Sequence, residues 1–197
     1  MNKTQGEPIA FHVQSKTKLW YLNLGVVLAI IMTVTVFSIA VFHWFNSVSE
    51  HDMQGIKVQA ANYLSSFNNY REFAALDSDS VTVLATEKRG DFLAVLCRSF
   101  DERYYACIFE RDGVFRNRWY VGGASGASPG EIGSWNANIE GDSVLVFYGG
   151  ELPDTATQYS FRNSGISYTC PIKNQTVLDL FVILDTYDIN GSPEIQK

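Results

Sequence analysis

The sequence predicts a mainly β protein with a single N-terminal transmembrane helix, a juxtamembrane amphipathic helix, and then an antiparallel β-sandwich or barrel-like domain of about eight or nine strands. Three observations carry that prediction. An uncharged run extends from Leu19 to Phe45; apolar residues then recur at three- and four-residue spacing up to Ala75; and from Val81 onward short apolar runs alternate with turn residues. The corresponding segments are a cytoplasmic tail over 1–18, an anchor over 19–45, the amphipathic helix over 46–76 and the β domain over 77–197.

The anchor follows from length and from its flanks. Leu22 to Phe42 is 21 residues without a charge, and at about 1.5 Å rise per residue it matches the roughly 30 Å hydrocarbon layer of a bilayer. Trp20 and Tyr21 stand at one end and Trp44 at the other, where amphipathic rings favour the headgroup level. A cleaved secretory signal has a shorter apolar core followed by small residues at the cleavage point. Here Ser38-Ile39-Ala40 lies inside a run that continues to Phe45, so the segment reads as an uncleaved anchor with the lipid bilayer as its partner. Lys3, Lys16 and Lys18 precede the run with only Glu7 against them, whereas 12 Lys and Arg face 20 Asp and Glu after it. Basic residues stay on the cytoplasmic side. The expected topology is therefore a single pass of the cell membrane, N-terminus in the cytoplasm and C-terminal domain outside. Within the run, Gly25, Ala29 and Thr33 form a stripe of small residues, a candidate helix–helix contact.

After the anchor, Ile56, Ala60, Tyr63, Leu64, Phe67 and Ala74 share one helical face, and Lys57, Ser65, Asn68 and Glu72 fall mostly elsewhere. The segment from Met53 to Ala75 therefore predicts a helix that covers the domain behind it. Nine strand candidates follow: 81–86, 91–98, 104–110, 114–121, 135–140, 143–149, 158–163, 166–170 and 178–185. Asp112-Gly113, Gly141-Asp142 and Ser164-Gly165 predict tight hairpin turns. The stretch from Gly122 to Gly133, rich in Gly, Ala and Ser, reads as a loop between two groups of strands. Val177 to Leu184, apolar except for Asp179, reads as a strand buried on both faces. Helix-length segments are absent between strands, which favours antiparallel hairpins over a parallel α/β sheet, and no fixed-period repeat indicates a propeller.

Composition restricts the chemistry. The histidines are His12, His43 and His51, none in the β domain, which takes imidazole-assisted nucleophiles and His-based zinc sites out of that domain. Cys97, Cys107 and Cys170 make no Cys-x-x-Cys pair. As an odd count they leave at least one thiol unbridged, with Cys97–Cys107 the candidate disulfide on consecutive strands. Gly122-Gly123-Ala124-Ser125-Gly126 lacks the Gly-Lys-Ser/Thr ending of a phosphate loop. Asp185, Asp188 and Asn190-Gly191 depart from the spacing of a calcium loop. No cofactor or metal is implied. The acidic exterior part excludes nucleic acid as a charge-matched partner.

Three functions remain. The leading expectation is a non-enzymatic extracytoplasmic module that binds or assembles with an envelope or membrane protein. A glycan-binding surface would use Trp119, Tyr120 and Trp135, which flank the Gly-rich stretch. A carboxylate-dependent hydrolase would need two of Glu110, Glu131, Glu140, Glu151 and Asp154 facing one another across a cleft. The plan resembles that of small single-pass bacterial surface proteins, and no motif carries residue roles over from them.

Overall fold

The computed structural model describes residues 13–67, 78–99, 102–139, 142–183 and 193–196, and the chain divides into two units, Met1–Trp44 and Phe45–Lys197. The first unit is helix α1, whose full extent is Val13–Asn46. Its segment Asn23–Asn46 is long and apolar enough to cross a membrane, and none of it is buried against protein. Over those 24 residues a helix rises about 36 Å. The hydroxyls of Thr33 and Thr35 donate to the carbonyls of Ala29 and Ile31 one turn back, at 2.8 and 2.9 Å. These polar side chains are thus satisfied within the helix.

The second unit is mainly β, and its antiparallel sheets include a curled half-barrel. Among its described residues are helix α2 (Met53–Phe67) and eleven strands, nine of them six residues or longer. Sheet A joins β1 (Val48–Ser49), β5 (Arg118–Ala127), β4 (Tyr104–Arg111), β3 (Phe92–Ser99) and β2 (Val81–Arg89) in that order. Sheet B is β10 (Val177–Ile183), β7 (Asp142–Gly149) and β6 (Ile132–Ile139). Sheet C is β11 (Glu194–Gln196), β8 (Gln158–Asn163) and β9 (Ile166–Pro171). The edges of sheets A and B meet, β2 beside β10 and β5 beside β6, which curls the two toward closure.

Alternation along the strands separates three cores. Leu93, Val95 and Cys97 of β3 and Tyr105, Cys107 and Phe109 of β4 pack beneath Ile56, Ala60, Ala61 and Leu64 of α2. The intervening Ala94, Leu96, Ala106 and Ile108 face Val144, Val146 and Tyr148 of β7 and Leu180 of β10. Leu145 and Phe147, on the far side of β7, meet Tyr159 and Phe161 of β8. Strands β3, β4 and β7 are therefore buried on both faces, which is why their sequences are unbroken apolar runs. Helix α2 begins where Asp52 caps it, Oδ1 accepting from the Gly55 N–H at 2.9 Å. The Asn68-to-Ala75 end of the expected amphipathic helix, with Glu72 and Ala74, lies outside the described residues.

Several expectations are corrected by register. Gly122 to Ala127 is no loop but the second half of β5, paired with β4. Glycine suits this strand because large neighbours occupy the space a side chain needs: a Cβ on Gly123 would lie 2.5 Å from the Trp135 ring, and one on Gly126 2.8 Å from that of Tyr105. Asp112-Gly113 is no two-residue turn either. β5 begins at Arg118 rather than Val114, and the buried Asp112 carboxylate accepts from the N–H groups of Val114 and Phe115, each at 2.7 Å, organising a longer connection. Strand β10 is half-buried along much of its length because it is an edge of sheet B, its alternate residues reaching two different cores. Ser164-Gly165 does close a two-residue hairpin, with φ of 49° and 79°.

Candidate binding cleft

Where β2 and β10 run side by side, the surface opens into a cleft of about 660 Å³. Leu84, Glu87 and Arg89 line it from β2, and Lys173, Asn174, Thr176 and Asp179 from the β9–β10 turn and β10 itself. The two walls are built differently. β2 carries an irregularity between Val83 and Ala85 that leaves Leu84 turned outward, 45% exposed. The opposite wall starts from a tight turn in which Thr176 N–H donates to the Lys173 carbonyl at 2.9 Å. Asn174 and Gln175 there have φ of 50° and 59°, a region that costs a residue with a Cβ. The turn is held in this form because the Gln175 carbonyl accepts from Leu152 N–H at 3.1 Å and the Gln175 amide donates to Asp154.

Charges in the cleft are balanced and mostly committed. Glu87 spans the two strands: one oxygen takes a hydrogen bond from Arg89 Nε at 3.1 Å, the other from the Leu180 backbone N–H at 3.2 Å. That contact satisfies a donor on the open edge of β10. The Arg89 guanidinium lies over the Phe181 ring, 5.5 Å from its centre. Asp179 accepts from the buried Tyr159 hydroxyl at 2.6 Å. Burial first, and then the Asp179 carboxylate, push the Tyr159 hydroxyl well above the ordinary tyrosine range. Cys170 stands opposite Tyr159 in the β8–β9 pair, and burial raises its thiol too. A raised thiol is mostly protonated and a poor nucleophile. Among the described residues no group of three His, Cys, Asp or Glu side chains is arranged to hold a metal. The cleft therefore presents hydrogen-bonding groups and paired charges.

The residues singled out in the sequence lie elsewhere. Trp119 is 1% exposed, packed in the core under α2, with Lys88 and Arg111 each 5.4 Å from its ring. Tyr120 follows it on the opposite face of β5, exposed and donating to Glu110 at 2.9 Å. Trp135 is half-buried over Gly123, against the core between sheets A and B. Trp119 and Tyr120 thus share no surface. Cys97 and Cys107 are buried free thiols. Register explains it: Cys97 is opposite Tyr105 and Cys107 opposite Val95, a diagonal placement, and diagonal positions are about 7–8 Å apart, beyond the usual disulfide span. The hydrogen bond to Cys97, then burial, hold the Cys107 thiol well above its usual range. Gly25, Ala29 and Thr33 lie on one side of α1, all exposed.

The carboxylates are dispersed as well. Glu110 serves Tyr120, Glu151 pairs with Arg98 at 2.7 Å, Asp154 holds Gln175, and Glu131 is exposed. Glu140 lies outside the described residues, as do Asp185, Asp188 and Asn190. The cleft residues had a signal in the sequence. Asp179 is the lone charge in β10, and the Ser164-Gly165 turn by itself sets Tyr159 opposite Cys170. Glu87 and Arg89 gave none, because Lys88-Arg89-Gly90 reads as a turn.

No protein-family profile, curated protein or solved structure matches this chain.

Proposed function

We propose that the protein is a membrane-tethered, non-catalytic binding module, anchored by α1 with its β domain outside the cell membrane, and that it engages an envelope or membrane protein at the β2–β10 cleft. The observation that carries this reading is the apolar helix Asn23–Asn46, none of which is buried among the described residues. An apolar surface of that extent is stable in lipid and costly in water. Charge asymmetry across the helix supports the orientation, with 12 basic against 20 acidic residues after it. The cleft supports binding over catalysis because Glu87, Arg89 and Asp179, three of its four ionic side chains, make structural contacts.

Membrane fractionation tests the anchor: the full chain should resist alkaline extraction, and protease added outside intact cells should digest the β domain and spare an N-terminal tag. Release by alkali, or cleavage of the tag, refutes the tether or its direction. A photo-crosslinking residue at Leu84, in the cleft, should capture a defined membrane or envelope protein that the same residue at exposed Val114 does not. Equal capture at both positions, or none at either, removes the cleft as the binding site.

A further inference from the structure

We infer that the protein forms a two-fold symmetric dimer by antiparallel pairing of β9 with β9 of a second copy, a property that does not depend on the tether or on what the cleft binds. Among the described residues, β9 is an edge of sheet C, hydrogen-bonded only to β8. Edge strands present a row of unused N–H and C=O groups, and proteins protect them with charge, proline, bulges or short length. The other described edges are protected in these ways, β1 being only two residues long. β2 has Glu87, Lys88, Arg89 and the irregularity at Val83/Ala85; β10 has its Leu180 donor capped by Glu87; β6 lies beside β5; β11 is three residues long and carries Glu194. From Ile166 to Cys170, β9 has no charge, no proline and no bulge, and four of the five are exposed.

The phase of the free edge is fixed by its partner. Ile172 N–H donates to the Thr157 carbonyl at 3.0 Å, and Ser164-Gly165 closes the other end. Residues 166, 168 and 170 therefore direct their backbone groups to β8, leaving Ser167 and Thr169 to point theirs outward. Only registers that oppose outward residues to outward residues can form a ladder. Centring the axis on Tyr168 sets Ser167 against Thr169 of the second copy and the reverse, giving four hydrogen bonds. Shifting the register by two residues in one direction brings in Pro171, which has no N–H.

The side chains fit that register. Tyr168 is stacked on Phe161, rings 5.1 Å apart at 11°, so Ile166, Tyr168 and Cys170 share one face and Ser167 and Thr169 the other. In the dimer Tyr168 meets its counterpart, Ile166 meets Cys170, and hydroxyl residues meet hydroxyl residues. Pairing covers Ile166 and Tyr168, now 59% and 39% exposed. A second copy is the partner because the strand is complementary to itself about this axis, a closed arrangement.

The test uses the full chain in detergent micelles. Ile166→Cys should form an intermolecular disulfide with native Cys170 under mild oxidation, since the opposed non-hydrogen-bonded positions fall within disulfide reach. Val114→Cys, also at an exposed position, should not. Light scattering should find twice the chain mass at high micromolar concentration for the native protein and the single-chain mass for Thr169→Pro, whose circular dichroism and melting remain native. The inference is overturned by a native protein that stays monomeric, by equal crosslinking at Val114→Cys, or by a folded Thr169→Pro that remains dimeric. The last result would place the contact elsewhere, α1 included.

Discussion

Removing the Tyr159 hydroxyl is the sharpest probe of the cleft wall. Tyr159 is fully buried, Phe147 and Phe161 lie 5.4 and 6.3 Å from its ring, and its hydroxyl donates to Asp179 at 2.6 Å. Tyr159→Phe keeps the ring and deletes that bond. A hydrogen bond to an ionised group contributes about 1.5–3 kcal/mol when its partner is stranded in a dry site. Asp179 is only half-buried and faces the cleft, so water replaces part of the loss. The expected cost is about 1–2 kcal/mol, a fall of roughly 2–8 °C in melting temperature for a unit of this size. Asp179→Asn should cost a similar amount, and the double variant less than the sum by about 1 kcal/mol, the coupling expected of a direct contact. Urea unfolding of the full chain in detergent, followed by the fluorescence of buried Trp119, measures each term. Additive losses, or a neutral Tyr159→Phe, would refute the bond as a structural link between β8 and β10. Alkali gives a second readout with a definite sign. The native tyrosine resists ionisation, whereas the unfolded one releases its proton near its ordinary value of 10. The unfolded state then binds fewer protons, so stability is intact below about pH 10 and declines above it. Tyr159→Phe should flatten that decline.

Gly150→Ala should destabilise by about 1–3 kcal/mol, because the added Cβ would clash with the ring of buried Tyr104, as thermal melting will show. A maleimide added to the native protein should label Cys170 slowly, since its thiol is raised though partly exposed, and reach Cys97 and Cys107 only after unfolding; mass spectrometry showing Cys97 or Cys107 modified in the native protein would contradict the buried pair. Acid should weaken the contact between Glu50 and Lys88. The hydrogen bond from Lys88 holds the Glu50 carboxyl below its ordinary 4.5, so its contribution is present above about pH 4.5 and lost as pH falls through the native value. Lys88→Met should therefore lower stability at pH 7 and reduce the slope below pH 4.5 in denaturant titrations.

The fold was legible where one physical signal dominated. Nine strands could be read because turn residues interrupt apolar runs, and the runs Phe92–Cys97, Tyr104–Phe109 and Val144–Tyr148 are the three strands covered on both sides. Sequence failed where a residue's role depends on a neighbour far along the chain. Glycine in Gly122-Gly123 looks like loop chemistry until Glu110 and Trp135 are placed over it. Arg118 looks like a strand-end cation, yet its Nε donates to the Ser47 hydroxyl at 2.8 Å and its guanidinium also reaches the Ser47 carbonyl, 71 residues away. β1 and β11 escaped notice because two or three residues form a strand only by adding to an edge that already exists.

The same dependence governs the aromatic residues. Aromatics beside glycines suggest a stacking platform, but glycine beside an aromatic also serves to let the ring lie flat on a strand, and Trp135 over Gly123 and Tyr148 against Gly133 do this. The rings are spent on closing sheet A over sheet B, Trp135 and Tyr148 entering the same core from β6 and β7. Once the aromatics and most carboxylates are assigned to packing, polar surface that is shaped rather than merely exposed is found where two sheet edges meet. Glu87 already bridges those edges through the Leu180 N–H. A partner that binds between them must either keep that bridge and read the charges around it, or displace Glu87 and pair with β10 itself. Glu87→Gln separates the two: retaining the bridge makes binding sensitive to the lost charge, whereas displacement makes it easier, because a neutral amide holds the N–H less strongly.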